Sequence, residues 1–400
     1  MDAVSAFYEQ RPYPPAADDL DSYRLRWTGA RREAESYLFW PFEPHRDDRS
    51  TLVAGCGTSQ AAHYAVCWPN ASIAGIDVSE SSIAFEEHLK QRHALENLEL
   101  HVLSIERAHE LGRKFDHIVC TGVLHHLADP GAALQTLRML LKPHGAMHLM
   151  VYAPYGRAGV YVIQEYCRQL GIGTTDSDIR DLAVSLRSLP PDHPLVPLLR
   201  NSPDFSTPAG IADALLHPRD RAYSVPQLFE LLAEADLAFG RWVRQAPYLP
   251  SCGSLAAPPH RSKLQRLEPA EQYAAVELFR GTMVRHSVVA YHRTLPPDLF
   301  TPDFESQAWA QYVPMRLADT IAVRENLPPG AAAVLINRSH TYTDLYLPVD
   351  ERELRMLDAV DGKRAILEIA GSGREPALAQ SFFEKLWQWD QVALAMSGTR

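Results

Sequence analysis

The chain has 400 residues, with 49 acidic and 39 basic side chains and a formal net charge of −10. That length can bury a sizeable core in two or three structural units, and the negative balance argues against broad binding of nucleic acid or an anionic membrane surface. Five cysteines at irregular spacing (Cys56, Cys67, Cys120, Cys167, Cys252) indicate neither a disulfide framework nor a zinc module, and so a reducing compartment.

Residues 1–30 lack the basic start and apolar core of a signal peptide, and no stretch approaches about eighteen apolar residues, so the expected location is the cytoplasm. The opening segment, AFYEQRPYPPAADDLDSYRLRW over 6–27, is aromatic and proline-rich; Pro12, Pro14 and Pro15 predict that it forms no regular helix. The hydrophobic period then predicts strands over 51–54, 72–76, 98–103, 117–120 and 146–152, separated by helices over 60–68, 79–93, 105–111 and 131–141. Strands alternating with helices imply an α/β fold, a doubly wound parallel sheet whose ligands lie beyond the carboxyl ends of the strands. A further helix, VPQLFELLAEADL, follows Ser224 as its cap, with Pro226 in its first turn.

TLVAGCG at 51–57 is an apolar run broken by two glycines, and AGID at 74–77 is an apolar run ending in a carboxylate. Gly55 and Gly57 let the backbone approach a ligand closely. Thr58, Ser59 and Gln60 open a helix whose free N–H groups and positive dipole end suit a negative group. Asp77 is placed to accept hydrogen bonds from both hydroxyls of a ribose. A dinucleotide turn carries a third glycine where this chain has Gln60, which weakens an NAD or FAD reading.

These residues resemble the class I S-adenosylmethionine (SAM) methyltransferases, whose first motif ends in G-x-G and whose second strand ends in Asp or Glu. FDHIVCTGVLHHLADP at 115–130 and AALQTLRMLLKPHGAMHLMVY at 132–152 extend the resemblance, matching the V-L-H-H-L-x-D-P turn and the L-K-P-x-G helix exit. It covers 50–155 closely and 1–293 loosely. It implies a seven-stranded Rossmann-like sheet closed by an antiparallel hairpin, with candidates at 239–245 and 287–291. It also implies SAM as cofactor, held by Ala54, Gly55, Cys56, Gly57, Ser59, Gln60, Asp77, Val78, Thr121, Gly122 and Val123. Many relatives place an Asp after the third strand to bond adenine; here Ser104 would supply that bond, with Ile105 packing on the ring. A leading arm in relatives folds across the cofactor mouth, which makes 1–49 an arm and Tyr8, Arg11 and Tyr13 candidate lid and substrate contacts.

The methyltransferase domain is then expected over 50–293, with inserts at 156–223 and 246–283 forming the pocket wall and setting selectivity. LPPDLFTPDF at 295–304 marks a boundary. Beyond it, a strand at 332–336, helices at 350–360, 364–370 and 377–390, and a returning strand at 392–395 suggest a small α+β, winged-helix-like accessory domain over 304–400. Its VDERELRMLDAVDGKR stretch resembles peptide-binding domains of ribosomal-peptide modification systems; docking or formation of a homodimer is the alternative role.

Methyl transfer from a sulfonium is largely a matter of positioning, and a base helps only where the nucleophile arrives protonated. His125 and His126, on the turn after the fourth strand, stand where an acceptor would meet the methyl group. With Tyr152 and Arg157 they are the candidate catalytic residues. Tyr155 and Tyr161 join Tyr152 and Arg157 in a cluster suited to an amine or a planar acid. The HPRDRAY run at 217–223 (His217, Arg219, Asp220, Arg221, Tyr223) is a third candidate. No cluster of His and carboxylate shows ligand spacing along the chain, so no metal is expected. The expected activity is methyl transfer to an O, N or C nucleophile of a small molecule or peptide, without nucleic acid or membrane as partner. The alternatives are a SAM sensor without transfer, a protein methyltransferase recruiting through its C-terminal domain and, more distantly, a nucleotide-linked oxidoreductase.

Overall fold

The computed structural model describes residues 3–15, 19–371 and 376–397. The parts of the expected arm at 1–2 and 16–18, and of the accessory domain at 372–375 and 398–400, lie outside them. Seven strands, β1 (Thr51–Ala54), β2 (Ile73–Asp77), β3 (Leu98–Val102), β4 (Phe115–Thr121), β5 (Leu141–Tyr152), β6 (Leu237–Trp242) and β7 (Arg285–His292), form one sheet in the order β3-β2-β1-β4-β5-β7-β6. The first five run parallel, with Val53 level with Gly75 on one side and Val119 on the other. Because β1 is paired on both edges and covered on both faces, Leu52, Val53 and Ala54 are wholly buried, the reason it reads as an unbroken apolar run. The chain winds one way from β1 to β3 and the other way from β1 to β4, which opens a crevice beyond the ends of β1 and β4.

Packing divides the chain into two compact units: Met1–Arg24, Asp48–Leu237 and Glu277–Ser287, and Leu25–Asp47, Ala238–Val276 and Val288–Arg400. In the first, small residues set the spacing. A Cβ on Gly75 would stand 2.7 Å from the Cβ of Ala61, so a bare glycine in β2 lets helix Gln60–Cys67 lie close on the sheet through Ala61, Ala62 and Ala65. Helix Ala3–Gln10 corrects the expectation that 6–27 is free of helix, and Asp21–Arg26 is helical too. Proline blocks a helix at its own position and at the residue before it, so Pro12 ends the first helix without forbidding it. Strand β5 begins at Leu141, earlier than expected, because the Lys142–Pro143 exit from helix Pro130–Leu140 passes straight into extended chain. The helix after Ser224 ends at Glu234, and Leu237 already belongs to β6.

The second unit is larger than the expected accessory domain, since it also takes in 25–47 and 238–276. It holds β8 (Tyr312–Arg316), β9 (Thr320–Val323), β10 (Ala333–Asn337), β11 (Tyr346–Val349) and β12 (Val392–Met396). These form a three-stranded antiparallel sheet, β11-β10-β9, and a two-stranded one, β12-β8. Helix Pro376–Gln388 packs Phe382, Phe383 and Leu386 onto the same core as Leu335 and Leu347. Inside this unit Arg241 meets the fully buried Asp390 at 3.3 Å, and Asp390 also accepts the N–H of Ala246 at 2.9 Å. Among the described residues no helix is long and apolar enough to cross a membrane.

Helix Gln60–Cys67 lacks a side-chain cap from Ser59; its first donors are met from behind. Glu86, fully buried on helix Glu80–Arg92, accepts the N–H of Ala61 through Oε1 and of Ala62 through Oε2, both at 2.8 Å. Burial pushes its carboxyl from an ordinary 4.5 up to about 8, outweighing the two N–H donors that favour the charged form. The folded chain therefore binds the extra proton across that window, and stability falls as pH rises from about 4.5 to about 8. Glu86→Ala is expected to cost about 1–3 kcal/mol for each stranded N–H in urea unfolding. Glu86→Gln should flatten the pH slope of stability across the window; an unchanged slope would show that Glu86 is ionised in the fold.

Candidate functional site

The crevice is built first by the turn after β1. Gly55 and Gly57 adopt positive φ, +72° and +57°. A Cβ on Gly55 would strike Val123 at 2.4 Å, and one on Gly57 would crowd the carbonyl of Tyr13 at 3.1 Å. Cys56 between them points into the core. Asp77 holds the turn in place: Oδ2 accepts Gly57 N–H at 2.9 Å and Oδ1 accepts Ser79 N–H at 3.0 Å. Burial raises its carboxyl pKa although these N–H groups oppose the shift. Gln60 Nε2 donates to Thr121 Oγ1 at 2.7 Å and so ties the turn to the end of β4, where Gly122 also has positive φ. Ser104 carries no cap bond and stands ahead of the buried Ile105, while Val78 is exposed. At the helix opening the N–H groups of Ala61 and Ala62 are taken from inside by Glu86.

The arm lies over this turn. Pro14 O accepts the Thr58 hydroxyl at 2.6 Å, and Tyr13 donates to Asp204 at 2.7 Å. Arg11 reaches Thr174 O and Asp176, on the exposed side of the insert. Tyr8 turns inward and donates to Asp213 at 3.0 Å.

Beyond β4 and β5 the same unit packs a buried polar cluster, the chamber. His125, His126, Arg157, Asp213 and His217 are each at least nine-tenths buried. His125 lies 4.0 Å from the Tyr152 ring, and the Arg157 guanidinium covers the same ring at 3.5 Å. Arg157 also meets Tyr161 Oη at 3.2 Å and Asp220 Oδ2 at 3.0 Å, and Gln164 Nε2 donates to that oxygen at 2.9 Å. The run 217–223 is sewn to the strand ends by Arg221 N–H to His125 O and Tyr223 N–H to Tyr152 O.

Hydrogen bonds fix two histidine tautomers. His126 Nδ1 sits 2.7 Å from Arg219 O, so it carries the proton and Nε2 keeps a bare lone pair. His217 Nδ1 accepts the Arg219 N–H at 3.0 Å, so its proton is on Nε2, which has no partner. Both nitrogens of His125 and Oδ1 of Asp220 are buried without partners. Burial holds His125 and His126 below the ordinary histidine value and takes His217 to about 3, so all three are neutral at pH 7. Burial lifts Asp213 to about 7 and keeps Tyr8 and Tyr152 as neutral phenols.

Of the residues singled out in the sequence, Tyr8, His125, His126, Tyr152, Arg157, Tyr161 and the 217–223 run come together here. Tyr155 is 41% exposed, and Arg221 is exposed with its guanidinium over the Tyr223 ring. Sequence reasoning missed Asp204, Gln164 and Asp213; the last was marked by being the lone carboxylate in an otherwise apolar helix, PAGIADALL. Ligand-type groups that lie apart along the chain are brought together by the fold. The fold gathers His125, His126 and Asp220, and likewise His126, Asp213 and His217, each set with its ligand-type atoms within 4.8 Å of one another.

A family model described as a methyltransferase domain matches residues 52–147. An uncharacterised protein of Synechococcus sp. is 29% identical over 288 residues, 69% of this chain and 68% of its own. A ubiquinone biosynthesis O-methyltransferase of Acinetobacter baumannii is 24% identical over 156 residues, 35% of this chain and 65% of its own. The structure of PKMT2 from Rickettsia typhi in complex with AdoHcy is similar in fold, with a TM-score of 0.63 and 16% identity, over 97% of this chain and 78% of that one.

The Tyr8 hydroxyl donates to Oδ1 of the buried Asp213 at 3.0 Å, so the phenol carries the junction of arm and chamber. Tyr8→Phe should lower stability by about 1–3 kcal/mol, read as a lower urea midpoint at pH 8. An unchanged midpoint would mean that the arm is not latched through this bond.

Proposed function

Starting from a chain that carries a class I SAM-dependent methyltransferase domain and uses SAM as cofactor, we propose that it methylates an oxygen or nitrogen nucleophile of a small molecule held in the buried chamber. The observation that carries this reading is the juxtaposition, within one unit, of the glycine turn and Asp77 at the ends of β1 and β2 with a buried cluster of aromatic rings, histidines and carboxylates beyond β4 and β5. The turn suits close approach of a cofactor: Gly55 and Gly57 both hold positive φ, a backbone that residues with a Cβ rarely adopt. The Asp77 carboxylate, which holds the turn through Gly57 and Ser79, retains acceptor capacity for a ribose hydroxyl. Ser104 and Ile105 are the candidates for the adenine edge.

Bound SAM supplies a methyl group on a sulfonium sulfur, open to displacement from the side opposite the sulfur. The chain's own residues hold the acceptor, exclude water and take its proton. Tyr152, Tyr161 and Arg157 offer rings and a cation to orient it. His126 keeps an unprotonated Nε2, yet burial makes it a weak base. Asp213, at about 7, is the better proton acceptor near neutrality. The Tyr8 phenol donates to it and fixes its orientation.

Asp77→Ala should weaken SAM binding by about 1–3 kcal/mol in calorimetry; unchanged affinity would remove Asp77 from the cofactor site. Only ionised Asp213 can take a proton, so turnover with an accepted substrate should rise with pH through about 7. Asp213→Asn should lower it by roughly 100-fold to 10,000-fold and abolish that rise. A variant retaining the same pH profile would rule out Asp213 as the base.

A further inference from the structure

Four polar atoms of the chamber are buried without a partner: both ring nitrogens of His125, His217 Nε2 and Asp220 Oδ1. Each such group costs about 1–3 kcal/mol unless something fills the gap. Three donors converge with bare lone pairs, and we infer that His125, His126 Nε2 and Asp220 Oδ1 form a binding site for a first-row divalent metal ion such as zinc.

The chemistry of the donors selects this set over its neighbour. His126 Nδ1 donates to a backbone carbonyl, which fixes Nε2 as the ligating atom, the arrangement that metal-binding histidines adopt. Asp220 has its other oxygen pinned by Arg157 and Gln164, which leaves Oδ1 aimed and unused. His125 is 1% exposed, offers either nitrogen, and sits with its ring 4.2 Å from that of His126. In the other set, His217 Nδ1 is occupied by the Arg219 N–H, so Nε2 bears a proton and has no lone pair to give. Two imidazoles and one carboxylate suit zinc, cobalt or iron(II) rather than magnesium or calcium, which prefer oxygen donors. Three protein ligands leave positions open. Resting on the transferase reading, those positions would take an oxygen or nitrogen of the acceptor, which adds a coordinating group to the substrate's requirements.

The test is titration of metal-free, tag-free full-length chain with cobalt(II), read by visible d–d absorption, with SAM calorimetry on the same samples. The expected result is bands that saturate stoichiometrically, are competed away by zinc, and vanish in His125→Ala and Asp220→Asn while persisting in Asp213→Asn. Gln164→Ala, which frees the carboxylate without removing a ligand, should weaken cobalt binding by roughly 10-fold to 100-fold. Absence of bands from the unaltered chain overturns the site. Bands that survive Asp220→Asn and disappear in Asp213→Asn overturn it equally, because they would put the ion on the rejected set. Since SAM binding is measured without metal or acceptor, loss of the metal site and loss of the transferase reading give separate results.

Discussion

The ion pair between Arg157 and Asp220 is the contact on which the chamber depends. Its side chains are 8% and 2% exposed, so both charges have left water at a cost of several kcal/mol each. The pair persists because the remaining valences are filled: Gln164 donates to the same carboxylate oxygen, Tyr161 meets the guanidinium edge, and the Tyr152 ring lies under its face. Three elements are fixed by this one contact, namely the end of β5, helix Ala158–Leu170 and the 217–223 run. Once the run is fixed, its backbone sets the tautomers of His126 and His217, because Arg219 presents a carbonyl to one and an N–H to the other. A structural ion pair thus decides which nitrogens in the site hold lone pairs.

The same dryness divides the titratable groups into roles. Burial disfavours charge, so it pushes histidines down and carboxyls up. The histidines become neutral, weakly basic donors of lone pairs, suited to ligation or orientation. Asp213, moved to about 7, becomes the group that exchanges a proton near neutrality. The sequence places His125 and His126 most visibly, yet burial makes Asp213 the carboxyl that changes charge near neutrality.

What was legible in the sequence, and what was not, follows from the range of the interactions involved. Strands β1 to β5 and the helices between them are written in local periodicity, and the Gly55–Gly57 turn and Asp77 are written in backbone requirements that few other residues meet. Their positions agree with expectation to within a few residues, apart from the early start of β5. Glu86 was overlooked because it reads as one charge among several in an amphipathic helix. Its place three residues after Ile83 and three before Leu89, on the buried face, was the available sign. The first helix of the arm stands beside a proline-rich stretch because each proline restricts its own position and the one before it, not the whole segment. The metal-type cluster was invisible to spacing, since His125 and Asp220 meet only after the insert folds back on the strand ends. Likewise, the recruitment of 25–47 and 238–276 into the second unit is set by long-range packing, which has no local signature.

The unpartnered atoms also constrain what the chamber selects. A site lined by satisfied apolar groups tells ligands apart weakly, by shape and by about 1–3 kcal/mol per methylene, whereas a site with stranded polar groups penalises any occupant that leaves them stranded. His217 Nε2 and the His125 nitrogen turned away from the proposed ion offer hydrogen-bonding positions at fixed points near the Tyr152 ring. An acceptor that satisfies them gains what an apolar analogue of the same shape forfeits. On the proposed reading, selectivity follows the pattern of donors and lone pairs, and that pattern is held by backbone contacts to Arg219 and Arg221.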